Sequence, residues 1–134
     1  YLLAQWASEP ATCKLWQQSG IGPILELGAG TAAASIAAAM CGADVVVTDR
    51  SSLSLALATA NIALNGVSDR AMVRHFDWES DEDLSEIAAL GPFSAVIGAA
   101  LQFERWQDRM WQVLNVLTAP TSLNGTARAC AQVG

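Results

Sequence analysis

The segment from Ile24 to Met40 constrains this chain most. A short apolar run, Ile24-Leu25-Glu26-Leu27, enters a glycine turn, Gly28-Ala29-Gly30, and leaves through Thr31 to Met40, which holds six alanines and no charge. The run reads as a strand. The alanine-rich segment reads as a helix packed close against a sheet, because alanine combines the best helix propensity with a small side chain. The glycines between them let the backbone turn sharply and let a ligand approach where a Cβ would collide.

The rest of the chain repeats this alternation. Tyr1 to Gln18 reads as a helix with a break at Pro10, ended by Gly20 and Gly22. Gly42 closes the alanine-rich helix, and Asp44 to Asp49 is a β-branched second strand. Ser51 or Ser52 caps a helix from Leu53 to Leu64, whose apolar contacts are expected from Leu53, Leu55, Leu57, Ile62 and Leu64. Ala71 to Phe76 reads as a third strand. Asp81 to Leu90 reads as a helix with acids in its first turn, stopped by Gly91-Pro92. Phe93 to Ile97 reads as a fourth strand, and Phe103 to Leu117 as an amphipathic helix ended by Pro120. The tail from Thr121 supplies one weak further strand. Alternating strands and helices predict one α/β domain over residues 1–134, a mostly parallel sheet with helices on both faces and right-handed crossovers.

Composition narrows the function classes. Of 134 residues, 52% are hydrophobic and 15% charged, which suits a chain that buries most of its length rather than a disordered tail. Seven Lys+Arg against 13 Asp+Glu give a net charge of −6, and phosphate neutralisation needs a basic face, so no nucleic-acid partner is expected. No membrane span is expected either: the longest uncharged stretch, Leu27 to Ala43, is Gly/Ala-rich and weakly hydrophobic. Cys13, Cys41 and Cys130 are odd in number and lack CxxC spacing, so neither a disulfide framework nor a metal site is expected, and a reducing, cytoplasmic setting fits. The first residue is Tyr1, and no secretory signal follows it, so the chain is expected to begin inside a longer protein.

In an open parallel sheet, ligands bind beyond the carboxyl ends of the strands. The four exits are Glu26-Leu27-Gly28-Ala29-Gly30, Asp49, His75-Phe76-Asp77-Trp78 and Gly98-Ala99-Ala100. Gly28 to Ala33 also satisfies the G-x-G-x-x-A form of a dinucleotide site, and Asp49, 21 positions after Gly28, suits an acid on ribose hydroxyls. Glu26 discriminates between cofactors. A carboxylate there opposes a pyrophosphate, whereas it favours the ammonium and sulfonium of S-adenosylmethionine. The plainer reading of Asp49 is a helix cap, and that of Trp78 is packing. Asp77 with Trp78 suits an adenine, the carboxylate accepting from the exocyclic amine and the ring lying on the base. His75, the sole histidine, is read as a strand residue rather than a catalyst, and the acidic run from Glu79 to Glu86 as a solvated face.

Leu25 to Thr31, Val47-Thr48-Asp49, Asn61 and Asn65, Asp77-Trp78 and Val96 to Ala99 together resemble the seven-strand, S-adenosylmethionine-dependent protein-lysine methyltransferases, whose members modify chaperones, elongation factors and calmodulin. Tyr1 to Ala7 is also similar to the helix before the glycine loop in the elongation-factor-2 branch. The resemblance implies a Rossmann-like class I methyltransferase fold, with a protein substrate such as a translation factor or chaperone. Glu26, Gly28 and Gly30 would line the methionine part of S-adenosyl-L-methionine, Asp49 its ribose, Asp77 and Trp78 its adenine, and Ala99 the cofactor edge of the fourth exit. Two departures stand out. The family usually has Gly where this chain has Ala32, and its fourth strand exits as Asp-Val-(Val/Ile)-Tyr where this chain has Ala100-Leu101-Gln102-Phe103. No catalytic residue is assigned, and transfer is expected to be weak or lost. Such enzymes carry two more strands in a terminal hairpin, so the chain is expected to stop at about the fifth strand.

Overall fold

A computed structural model describes residues 2–18, 22–99, 101, 107–119 and, as backbone, 129–133. The elements are α1 (Leu2–Ala7), α2 (Pro10–Trp16), β1 (Ile24–Leu27), α3 (Ala33–Met40), β2 (Val45–Asp49), α4 (Ser52–Leu64), β3 (Ala71–His75), α5 (Asp81–Ala89), β4 (Ala95–Ala99), α6 (Gln107–Thr118) and β5 (Ala129–Val133). Pro10 opens α2 at its first turn, where a missing N–H costs nothing, so the predicted break becomes a second helix.

The five strands form one parallel sheet in the order β3-β2-β1-β4-β5. Register is set by pairs such as Ile24 with Val45 and with Ala95. Strand alternation divides the core in two. Ile24, Val45, Val47 and Ile97 face α1 to α4, together with Leu3, Trp16, Ile36, Ala58 and Ile62. Leu25, Leu27, Val46 and Val96 face α5 and α6, together with Leu84, Ile87, Val113 and Leu117. By the same alternation Glu26 lies on the α3 side of β1.

Three expectations need correction. Of the α4 leucines, Leu53, Leu57 and Leu64 are exposed, and the buried residues are Ala58 and Ile62. At 100° per residue Ala58 and Ile62 share one side of the helix while Leu53, Leu57 and Leu64 fall far round from it, so the side that carries Ala58 and Ile62 is the one that packs. The fourth strand runs from Ala95 to Ala99 rather than from Phe93, although Phe93 is buried beside it. Cys13 and Cys41, read as unpaired, are joined by a disulfide, with Cα atoms 5.1 Å apart across a sequence separation of 28. The reason is tertiary. Helix α1 packs along α3, and Gln17 Nε2 donates to the Cys41 carbonyl at 3.2 Å, which holds the end of α2 against the end of α3. Spacing along the chain carries no trace of that contact.

Met110, Val113, Leu114 and Leu117 form the buried face of α6, as the periodicity predicts, whereas Phe103, Trp106 and Pro120 lie outside the described residues. Among the described residues, no helix is long and apolar enough to cross a membrane.

Candidate active site

The strand order reverses between β1 and β4, which makes the exits of those two strands the crevice of the sheet. At the first exit Gly28 and Gly30 have φ of +61° and +56°, the left-handed region that side chains disfavour. Their surroundings differ. A Cβ on Gly28 would lie 3.1 Å from Leu101 Cδ2 and 3.9 Å from Trp78 Cζ2, whereas one on Gly30 would meet nothing within 4 Å. The loop is therefore packed on its inner side and open at Gly30, which suits the close approach of a ligand.

Glu26 reaches the loop from beneath. Its side chain is buried under α3, where Oε2 accepts from the Ser35 backbone N–H at 3.0 Å and from the Ser35 hydroxyl. Both donors sit in the first turn of α3, where free N–H groups and the helix dipole favour an anion. Burial still dominates: it pushes the carboxyl up to about 7, against the lowering effect of the Ser35 bonds and with a further rise from the charge of Asp49. The carboxylate thus ties β1 to α3 across the glycine loop.

Asp49, at the second exit, holds the same loop from the side. Its Oδ2 accepts from Gly30 N–H at 3.0 Å and its Oδ1 from Ser51 N–H at 2.8 Å. The cap of α4 is Ser51, whose hydroxyl accepts from Ser54 N–H, so capping is not the work of Asp49. Asn61 Nδ2 donates to the Thr31 carbonyl at 3.0 Å, and Asn65 Nδ2 to the Asn61 carbonyl at 2.8 Å. The Asn61/Asn65 spacing therefore has a mechanical reading: α4 is anchored to the far end of the glycine loop.

At the third exit Asp77 and Trp78 are half-buried. Asp77 N–H donates to Asp83 Oδ2 at 2.8 Å, and Asp77 Oδ1 accepts from Glu79 N–H at 3.0 Å. The backbone bond from Asp77 is the largest of the effects that hold the Asp83 carboxyl below its usual range. His75 Nδ1 sits 3.0 Å from Asp83 Oδ2 and is exposed, consistent with a strand-end residue. The acidic run is only partly a solvated face: Asp83 caps the loop and Asp81 pairs with Arg109.

The fourth exit is different in kind. Ala99 is exposed at the end of β4, on the same sheet edge as the other candidates. Leu101 is buried across the exits of β1 and β4, where a Cβ on Gly98 would collide with its Cδ1 and come within 3.2 Å of the Leu27 carbonyl. Ala100 and Phe103 lie outside the described residues.

Topology thus brings Glu26, Gly28, Gly30, Asp49, Asp77, Trp78 and Ala99 to one edge of the sheet. Sequence reasoning missed Ser35, Leu101 and Arg109. Ser35 was findable, since a strand carboxylate on the α3 face needs a partner in the first turn of that helix. Leu101 and Arg109 act through contacts that no local pattern announces.

The open glycine loop with carboxylates on either side suits a cofactor that carries positive charge and a ribose. A profile described as lysine methyltransferase matches residues 1–123. No curated protein matches the chain. Among solved structures, the S-adenosylmethionine-dependent methyltransferase from Agrobacterium tumefaciens superposes with a TM-score of 0.66 at 17% identity, over 87% of this chain and 38% of that one. The O-methyltransferase from Bacillus cereus, in complex with S-adenosylhomocysteine, gives 0.62 at 21% identity over 89% and 60%. The Pyrococcus abyssi tRNA (uracil-54, C5)-methyltransferase, also with S-adenosyl-L-homocysteine, gives 0.59 at 18% identity over 86% and 26%. This chain therefore spans 60% or less of each of these relatives. At such identities the superpositions establish the Rossmann-like methyltransferase fold, whose cofactor is S-adenosyl-L-methionine. By the match over residues 1–123, the chain belongs to the lysine methyltransferase family.

Proposed function

We propose that the chain binds S-adenosyl-L-methionine across the exits of β1, β2 and β3, in a protein that methylates a lysine side chain of another protein. The observation that carries this reading is the Asp49 bond to Gly30 N–H beside an open glycine position, which holds a carboxylate and a bare backbone edge together at the crevice. Gly28 and Gly30 with Glu26 behind them would hold the methionine end, Asp49 the ribose, Asp77 and Trp78 the adenine, and Ala99 the edge toward the incoming group.

The bound cofactor supplies a methyl group on a sulfonium, open to in-line displacement by a neutral amine. Alignment is therefore the protein's main task, together with a group that takes the proton of the incoming ammonium. Among the described residues of the fourth exit, Ala99 is exposed and Leu101 is buried, and neither carries an ionisable side chain. That observation favours a second reading, a module that binds cofactor and transfers weakly or not at all. A methyltransferase of another substrate class is a third.

The net charge of −6 supports a protein partner, such as a translation factor or chaperone, over nucleic acid, and the reading places the protein in the cytoplasm without membrane attachment. The Cys13–Cys41 disulfide counts against a reducing compartment, so alkylation of the protein trapped directly from cells tests that placement: free thiols support it and an intact disulfide overturns it. Calorimetry with S-adenosylmethionine, paired with tritiated methyl transfer to cell lysate and digestion to amino acids, tests the rest. Binding with labelled methyl-lysine supports the lysine reading. Binding without label supports the module, label on another residue or a small molecule supports the third reading, and no binding removes all three.

A further inference from the structure

Arg109 stands on α6 and reaches 31 residues back along the chain to the third strand exit. Its Nε donates to the Trp78 carbonyl, and its Nη2 pairs with Asp81 Oδ1 at 2.7 Å. The Arg109 side chain is 24% exposed, against 88% for the Asp81 side chain. The ion pair alone contributes little, because an exposed carboxylate is well solvated. The contact with the Trp78 carbonyl is different: a loop carbonyl outside any strand ladder needs a partner, and a planar guanidinium fixes two acceptors in one orientation.

The same loop is gripped at its start by Asp83, which takes the Asp77 N–H on one oxygen and the Ser80 hydroxyl on the other. The backbone is thus pinned on both sides of Trp78. The pinned residue is the one whose ring lies beside the glycine loop, with Cζ2 3.9 Å from the Cβ position of Gly28. Two other arginines with described contacts do different work. Arg70 binds Asp44 and the Gly42 carbonyl at the opposite end of the sheet, and Arg74 binds its own neighbour's carbonyl.

We infer that Arg109 is a positioning residue for the adenine side of the cofactor site: through the Trp78 carbonyl it holds the Trp78 ring against the glycine loop, and it touches no cofactor itself. The inference rests on the cofactor reading of Asp77 and Trp78 given above. It is tested by calorimetry with S-adenosylhomocysteine on the whole chain. R109A is expected to weaken binding about tenfold, R109K to recover part of the loss, and D81N to change affinity less than about threefold. The decisive readout is W78A with R109A together, which binds no more weakly than W78A alone if Arg109 acts through that ring. If R109A does not fold, R109M keeps the aliphatic stem without the donors and is expected to show the same loss and the same non-additivity. A wild type that binds no S-adenosylhomocysteine overturns the cofactor reading and this inference with it. A wild type that binds, with R109A or R109M equally tight or with losses that add to those of W78A, overturns this inference alone.

Discussion

The exits of β1, β2 and β3 carry carboxylates that are tied into the fold, whereas the residues described at the exit of β4 are apolar. Glu26 is bonded to Ser35, Asp49 to Gly30 and Ser51, and Asp77 to Glu79, with Asp83 behind it. At β4 the described residues are Gly98 and Ala99, in the strand ladder, and Leu101, packed across it, and none carries a polar side chain. The contrast separates two tasks that one sheet edge normally performs together. Holding a charged nucleoside needs fixed donors and acceptors, which the first three exits retain. Preparing an amine for attack needs a base near the incoming group, and Ala100 stands where the resemblance in sequence would put the family's carboxylate.

The largest effect is therefore expected from adding chemistry to the fourth exit. A100D with F103Y restores the family's Asp and Tyr and is expected to raise methyl transfer about 10²- to 10⁴-fold, the range a positioned proton acceptor supplies, with cofactor affinity unchanged within about threefold. Tritium incorporation and calorimetry on the same preparation separate the two readouts. An increase in affinity without transfer would mean that the two halves are not independent.

Glu26 gives the next largest effect, in stability rather than rate. Its carboxyl is raised from 4.5 to about 7 by burial, so the folded chain holds a proton that the unfolded chain releases between those values. Stability from this group is full below about pH 4.5 and is lost as pH rises through about 7, a loss of about 3 kcal/mol by pH 8. Asp83, held below its usual range, acts in the opposite direction and only at lower pH. Urea unfolding at pH 5.5 and pH 8 is expected to show the wild type less stable at the higher pH and E26Q nearly level. A wild type without that slope would mean that water reaches the carboxylate.

Much of this arrangement was legible in the sequence, and the reason is periodicity. Val45 to Asp49 and the glycine turn announce themselves within a few residues, and parallel topology then places every strand exit on one edge without further information. What was not legible depends on contacts across the sheet or between helices. The leucines of α4 looked like core because leucine usually is, yet Leu53, Leu57 and Leu64 are exposed and the fully buried residues of α4 are Ala58 and Ile62. Cys13 meets Cys41 only because α1 packs along α3 and brings α2 to its end, and Arg109 meets Trp78 only because α6 and the β3 exit lie on the same face. Glu26 stands two residues before the loop in the sequence, but its place beneath the loop, bonded to Ser35, follows from strand alternation.

Asp49 tests whether the polar half depends on the loop's shape. D49A removes the acceptor for both Gly30 N–H and Ser51 N–H and is expected to weaken S-adenosylhomocysteine binding about 10- to 100-fold, the range for a charged hydrogen-bond acceptor. D49N keeps one acceptor oxygen and is expected to lose less. Equal losses would show that charge, rather than loop geometry, is what Asp49 contributes.

The smallest effect is expected at Ala32, where the family usually has Gly. Ala32 has a φ of +65° and is fully buried, so its methyl faces the α3-side core rather than the open side of the loop. A left-handed alanine costs roughly 1–2 kcal/mol, which glycine would relieve. Glycine would also lose about 0.8 kcal/mol of methyl burial and gain about 0.4–1 kcal/mol of unfolded-chain entropy. These terms nearly cancel, so A32G is expected to change stability by less than about 1 kcal/mol and to leave S-adenosylhomocysteine affinity within about twofold. Thermal unfolding and calorimetry check both. A variant that bound about tenfold tighter would place the methyl in the path of the cofactor, and would make Ala32 a second defect of this site, lying in the half that its hydrogen bonds mark as intact.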